Sequence, residues 1–570
     1  MPSPFPGTEL REAGEGADGF YPVPIHEIAM KKVWYCRLLP LIAAGVLAAG
    51  CGKEEVSGGG DGSAPADGEL NRWVYKVMKV NYLWNGEITP SPDYSLGYEE
   101  FFRSLLKRPV PGSYSSSGLG LLPSGEPHDG TVESFGSVWS PYSYILSVEP
   151  AVRSVSGTRS FGFEFQIYGF RSTGGTLVFA QVLYTVPDSP ADRAGLRRGD
   201  WIMEVDGVAF TDSNYADLAR KLLPGSGSAQ AEVTVVPIEC TPAGRLIVRD
   251  DTPRKVRLTA GAVDDSPVHL HAVHEVGGRR VGYLVYNGFD RGRDPSTFED
   301  DYDDRTYDDA LKKALREMAP LDDLVLDLRY NPGGYALSCQ LLASMIAPAD
   351  RAGTVFNRVR DNAGRYTDER FLTLSQMSEG NFSGGEGVCL GLDRLWVLAS
   401  SRTASASEVL VNGLRGTGVA VHLIGERTEG KNVGSYLFDR TTTAGTPYAG
   451  GVFGGTEYYI RPICFQNFNA RNESDFANGF PPGTDAAGSE AYEAEELPDP
   501  VPGEEFRLPP LGDLSEPLLD RALSLISGGE TLSAVPVRSG REGSGFRELP
   551  FSSLDRKAAG GYVRTALPGE

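Results

Sequence analysis

The sequence predicts an α/β core with a largely parallel sheet, joined to a strand-rich domain and a small N-terminal helical unit. Three observations carry this. Between residues 281 and 414, short apolar runs alternate with helical-period segments, the pattern of βα crossover units. Between residues 113 and 256, large apolar residues alternate around glycines and turn signals, as strands require. The stretch 69–106 instead places Leu70, Trp73, Val74, Val77 and Met78 at spacings of three and four, a helical stripe. A chain of 570 residues exceeds what one core organises, so two or three folded units with linkers are expected. With 76 acidic against 54 basic residues, the net charge of −22 disfavours nonspecific binding to duplexes or anionic membranes. No nucleic-acid motif is present, so nucleic acid is not expected as a partner.

From the N-terminus, Lys31-Lys32, the apolar run Leu38–Leu47 and Ala48-Ala49-Gly50-Cys51 read as a secretory signal, too short to span a membrane permanently. Residues 1–29 have no place in such a signal and read as a misassigned start, with Met30 the natural one. Residues 30–51 are then the signal, and 52–68 a Gly/Ser-rich flexible tether. A helical region over 69–112 follows, then a strand-rich unit over 113–260, whose stretch Ser113–Thr158 reads as flexible. The α/β core is expected over 266–530. Its elements are a strand from Val281, a helix Ala310–Met318, a strand Leu324–Leu328 and a helix Ala336–Ile346. A strand Leu395–Ala399, a helix Ala406–Leu414 and a strand near Val421–Gly425 complete the repeat. Residues 531–570 are polar with Gly, Pro and Ser, and are expected to lack a core. Cys240, Cys339, Cys389 and Cys464 lack metal spacing and read as buried thiols, although three pairings are open to them. No metal or other cofactor is expected.

Chemistry concentrates in three segments. Thr403-Ala-Ser405-Ala406-Ser-Glu408 opens a helix, and Ser-x-x-Glu is also a capping box, so Ser405 alone reads as a helix cap. Lys431 follows in Glu429-Gly-Lys-Asn432; a lysine becomes a base when burial makes its proton cheap to lose. Upstream, an apolar strand runs from Leu324 through Asp327-Leu-Arg329 into Asn331-Pro-Gly-Gly334, whose amides can face an oxyanion. Asp327 and Arg329 read as structural, fixing the turn. His422 is a weaker competitor for the base, because it lies on a strand with alternating faces.

These three segments, in this order, resemble the C-terminal-processing (tail-specific) serine protease family. The resemblance covers roughly residues 70–530 and implies a ClpP/crotonase-like core of βα units. It implies Ser405 as nucleophile, Lys431 as base, and the amides of Gly334 and Ala406 as oxyanion donors. Ser435 stands where relatives often carry a lysine-orienting Gln. The run Pro190-Ala191-x-x-Ala194-Gly195-Leu196-x-x-Gly199-Asp200, followed by Val205-Asp206-Gly207, resembles a PDZ domain, placing a peptide-carboxylate loop at Gly162 and Phe163. Such domains add a peptide as a strand to a sheet edge. Gly50-Cys51 resembles a bacterial lipobox with Cys51 acylated, and Lys53-Glu-Glu55 resembles a Bacteroidetes surface-export signal. A plain signal cleaved near Ala49 is the other reading. The expectation is a lipid-anchored cell-envelope endopeptidase acting on unfolded or tail-exposed proteins with free C-termini. Two alternatives stand beside it: a noncatalytic, lipid-anchored PDZ receptor with an inactive protease fold, and a glycan-binding surface lipoprotein.

Overall fold

The computed structural model describes residues 66–107, 126–132, 139–148, 159–172, 175–223, 228–292, 304–446, 448–484, 488–528 and 546–555. The expected start, signal, Cys51 and the tether up to residue 65 lie outside the described residues.

The core is built as the periodicity requires. Strands β6 (Val268–Val276), β7 (Arg279–Tyr286), β8 (Asp323–Asp327), β9 (Arg394–Ala399) and β10 (Ala420–Gly425) form one sheet in that order. Only the β6–β7 pair is antiparallel; β7–β8, β8–β9 and β9–β10 are parallel. Apolar residues occur at nearly every position of β8 and β9 because both faces are covered. Leu324, Leu326, Leu395 and Val397 face helices α4 (Thr306–Met318), α5 (Ala336–Ile346) and α6 (Ala406–Gly416). The alternate residues Val325, Trp396 and Leu398 face α7 (Pro517–Ile526).

A second, antiparallel sheet holds β1 (Phe163–Ser172), β2 (Gly175–Thr185), β3 (Trp201–Val205), β4 (Gln230–Val236) and β5 (Arg254–Thr259). Their inward residues Phe163, Phe165, Ile167, Val182, Ile202 and Val233 pack against helix α3 (Tyr215–Lys221) through Leu218. The N-terminal helices α1 (Ala66–Asn81) and α2 (Tyr98–Ser104) bury the predicted stripe against Val433, Phe438, Ile460 and Ile463. These residues belong to, or adjoin, strands β11 (Val433–Ser435) and β12 (Ile463–Phe468), which pair with each other. The N-terminal unit therefore braces the segment that follows Lys431.

Two expectations need correction. Within the supposedly flexible stretch Ser113–Thr158, residues 126–132 and 139–148 are described. Tyr144–Val148 pairs with Thr456–Arg461 and lies outside the second sheet, because Tyr142 and Ile145 carry apolar surface that belongs with α1 and α2. The polar tail also contributes a strand, β12's successor β13 (Phe546–Ser552), which pairs with β1 at the edge of the second sheet. Its apolar residues are too sparse to signal a strand in the sequence, yet each finds a pocket already built by the domain. Cys240, Cys339, Cys389 and Cys464 are free thiols.

Asp327 and Arg329 are structural, as expected, but their partners come from far along the chain. The Arg329 guanidinium donates to both Asp327 oxygens and to both Glu516 oxygens, and the Tyr283 hydroxyl donates to Asp327. These groups are fully buried. Removing the cation strands two buried carboxylates, so Arg329→Met should destabilise the fold by roughly 3–5 kcal/mol in urea unfolding. Removing the exposed Arg220 of the Arg220–Asp217 pair should cost under about 1 kcal/mol in the same assay.

Candidate active site

β9 ends at Ala399 and α6 begins at Ala406, so Ser405 lies in the strand-to-helix turn. Its φ of 54° and ψ of −115° are unusual for a residue with a side chain. An ordinary helix cap sits in the extended region. A serine held instead at positive φ on a strand–turn–helix is the geometry of a nucleophile elbow. The capping box and the nucleophile reading therefore coexist at one residue: Glu408 accepts from the Ser405 amide at 3.0 Å.

Glu408 does more than cap. Its Oε2 also accepts from the Lys431 amide at 2.8 Å, which holds the Ser405 and Lys431 nitrogens within 5.8 Å of each other. Its Oε1 accepts from the Thr428 hydroxyl at 2.6 Å and the Gly430 amide at 2.8 Å. Gly430 has φ +104°, and a Cβ there would come within 2.4 Å of the Ala477 carbonyl, so the loop presenting Lys431 needs glycine. Burial, with the charge of Glu429 adding to it, pushes the Glu408 carboxyl up to about 7.

The Lys431 ammonium sits 4.8 Å from the centre of the Tyr142 ring. Burial pushes Lys431 below its usual value, against the opposing pull of the Glu429 carboxylate. Glu429 is itself raised by burial, although Lys431 draws it back down. Its amide donates to the Thr403 carbonyl, tying the lysine loop to the serine turn a second time. Ser435 closes β11 and is half-buried, with no hydrogen bond to Lys431 among the described residues.

The glycine turn packs on the same spot. Gly333 and Gly334 have φ of +106° and +142°, and a Cβ on Gly333 would lie 2.7 Å from the Ser405 Cβ and 2.9 Å from the Ala406 nitrogen. The Ala404 amide and the Ser407 hydroxyl donate to the Asn331 carbonyl, and the Thr403 hydroxyl donates to the Leu328 carbonyl. Neither the Gly334 nor the Ala406 amide donates to a group among the described residues, which leaves both available to a ligand oxygen. The structure thus brings Ser405, Ala406, Gly333 and Lys431 together. His422 is elsewhere engaged, stacked 4.1 Å from Trp396 and bonded to the Tyr492 hydroxyl.

Sequence reasoning did not find Tyr142 or Glu429 as neighbours of the lysine, nor Glu408 as the hub. Only the capping-box spacing hinted at the last. Phe163 begins β1 and Gly162 immediately precedes it, but the Gly162 amide donates to the Ser160 hydroxyl and the outer edge of β1 pairs with β13.

A strained serine elbow, a glycine turn with unengaged amides and a desolvated lysine on a crossover core are the parts that serine-type hydrolases use. Part of the chain carries the sequence pattern of peptidase family S41. That family's sequence pattern matches residues 280–448, its N-terminal domain matches 69–116, and a PDZ domain matches 181–237. The chain is 27% identical over 267 residues to a carboxyl-terminal-processing protease of Picosynechococcus, covering 46% of this chain and 54% of that protein. It is 28% identical over 272 residues to the chloroplastic carboxyl-terminal-processing peptidase 3 of Arabidopsis thaliana, covering 45% of each. The chain thus spans about half the length of these relatives. Among solved structures, a putative S41 protease from Bacteroides fragilis superposes with a TM-score of 0.58 at 26% identity, covering 80% of this chain and 97% of that one.

Glu408 accepts four donors, so an amide in its place sets an NH2 against two of them. Glu408→Gln should destabilise the fold by about 1–3 kcal/mol for each donor left unsatisfied. It should also cut any serine-dependent turnover by at least about 10²-fold through a misplaced nucleophile. Thermal unfolding and steady-state kinetics read the two effects. The raised carboxyl means the folded chain holds an extra proton between the ordinary glutamate value and about 7. The Glu408 contribution to stability therefore falls as pH rises through that window. Glu408→Gln should remove this part of the pH dependence of the unfolding midpoint.

Proposed function

We propose that the chain is a serine endopeptidase in which Ser405 attacks and Lys431 is the base, acting on unfolded or tail-exposed proteins. The observation that carries this is the positive-φ Ser405, joined through Glu408 to the amide of a half-buried lysine and set against the Gly333-Gly334 turn. Neutral Lys431 takes the Ser405 proton as Oγ bonds to the scissile carbonyl carbon. The developing oxyanion meets the Gly334 and Ala406 amides, preorganised by the turn-to-turn hydrogen bonds. Collapse breaks the C–N bond, and the lysine ammonium gives its proton to the departing amine. Water then attacks the acyl-enzyme, with Lys431 again accepting a proton and returning it to Ser405. Ser435 is assigned a supporting part in orienting the lysine, directly or through water.

The names of the relatives, which are processing enzymes for carboxyl termini, support protein tails as the substrate class. The PDZ domain supports their capture as an added strand, with the carboxylate near Gly162 and Phe163. The signal ending at Cys51 supports a lipid-anchored place in the cell envelope, at the periplasmic face of the outer membrane or the cell surface. A noncatalytic receptor has two motives, the serine at position 435 where relatives often carry Gln, and an interval from Ser405 to Lys431 one residue longer than usual in the family.

Ser405→Ala and Lys431→Ala should each abolish cleavage of an unfolded protein while leaving the unfolding midpoint nearly unchanged. A serine-reactive phosphonate should label the wild type and not Ser405→Ala; absence of labelling would favour the receptor. Because the base acts only when neutral, the rate should rise with pH through a lysine value below the usual one. A rate flat across that range would exclude Lys431 as base. In cells, radiolabelled palmitate should enter the protein, and Cys51→Ala should lose the label and the membrane association together.

A further inference from the structure

The outer edge of β1 is where a PDZ domain receives its peptide, and here that edge is occupied by the chain itself. β13 runs antiparallel to β1, pairing Phe546 with Phe170, Arg547 with Gly169, Glu548 with Tyr168 and Ser552 with Gln166. This orientation points the later residues of the segment toward Gly162 and Phe163, as the C-terminus of a captured peptide would point. Leu549 enters the apolar cluster that holds Phe163, Phe165, Ile167, Leu218 and Leu222, the space between β1 and α3. It passes over Gly169, where a Cβ would stand 3.6 Å from its Cδ2. The Phe546 ring lies tilted with its centre 4.7 Å from that of Phe170, and Leu554 is buried beside Tyr184 and Tyr330.

The fit is that of a ligand more than of a sheet strand. Pro550 has no amide to donate, and the ladder breaks between Glu548 and Ser552. At the break, Ser553 substitutes its side chain for backbone pairing. Its hydroxyl accepts from the Phe165 amide at 2.7 Å, while its own amide donates to the Phe165 carbonyl at 3.0 Å. The buried Gln166 side chain donates to the Leu549 and Phe551 carbonyls at 2.9 and 3.2 Å. Its oxygen accepts from Arg402, three positions before the nucleophile. One side chain thus reads the occupant of the groove and touches the serine turn.

We infer that residues 546–555 are an intramolecular ligand of the PDZ edge, which a substrate C-terminus must displace before it is captured. The inference rests on the reading of this domain as a tail reader. A tethered segment competes at an effective concentration no free peptide reaches, so the open groove is a minor state and apparent affinity is lowered by that fraction. A peptide able to pair along the whole of β1 displaces it because it supplies the ladder bonds that Pro550 and the break forgo.

The test is a reversible lock. Arg547→Cys and Gly169→Cys stand opposite each other in the register, within reach of a disulfide. Both are introduced into full-length Ser405→Ala, and a fluorescein-labelled peptide with a free apolar C-terminus is titrated by anisotropy. The oxidised chain should bind at least about tenfold more weakly than the same chain after reduction. Leu549→Asp, which expels the segment without shortening the chain, should bind at least about tenfold more tightly than the parent. Equal binding by oxidised and reduced chains, or no binding by either, overturns the inference. So does Leu549→Asp failing to tighten binding or unfolding the domain, since β13 would then be a structural strand. Binding is read with the nucleophile removed, so a chain that never cleaves would refute the protease reading and leave this one standing.

Discussion

The site depends on one buried carboxylate. Glu408 gathers the amides of Ser405, Gly430 and Lys431 and the hydroxyl of Thr428, so the serine turn and the lysine loop cannot move independently. Four donors on two oxygens satisfy the acceptor capacity that burial would otherwise leave empty. Burial still raises the carboxyl, against the amide and hydroxyl donors that favour its charged form. Such a group is kept for geometry, since an apolar replacement would leave four donors without an acceptor.

A second buried network joins the two sheets to the glycine turn. Arg198, from the turn before β3, donates to the Tyr330 hydroxyl at 2.6 Å and pairs with Glu496 at 2.8 Å. Tyr330 in turn donates to Glu496. The adjacent Arg329 holds Asp327 and Glu516, so consecutive residues of one turn are pinned from different directions. The orientation of the Gly333-Gly334 amides thus follows from contacts with both the antiparallel domain and α7. Together with the Arg402–Gln166 contact, this makes the antiparallel domain part of the frame of the site.

Much of the core was legible because its signals are local. Helix α5 runs from Ala336 to Ile346 as the periodicity required, and α6 starts at Ala406, where the capping spacing put it. The strands predicted at Leu324–Leu328, Leu395–Ala399 and Val421–Gly425 fall within one residue of their apolar runs. Tyr142 escaped because a single aromatic in an irregular stretch carries no pattern. The strand β13 escaped because Pro550 and flanking polar residues argue against a strand, and only a pre-existing edge and its pockets override that.

The sequence by itself determined the order of elements and the residue types at the serine turn, the glycine turn, the lysine loop and the Pro190–Asp200 motif that resembles a PDZ domain. These follow from periodicity, turn chemistry and motif spacing, each confined to a dozen or so neighbouring residues. Tertiary structure alone decided which groups share an environment: the Tyr142 ring on Lys431, the two amides on one Glu408 oxygen, and the chain's own segment along β1. Such contacts join residues from opposite ends of the chain. Their energies depend on burial that exists only once the layers have packed.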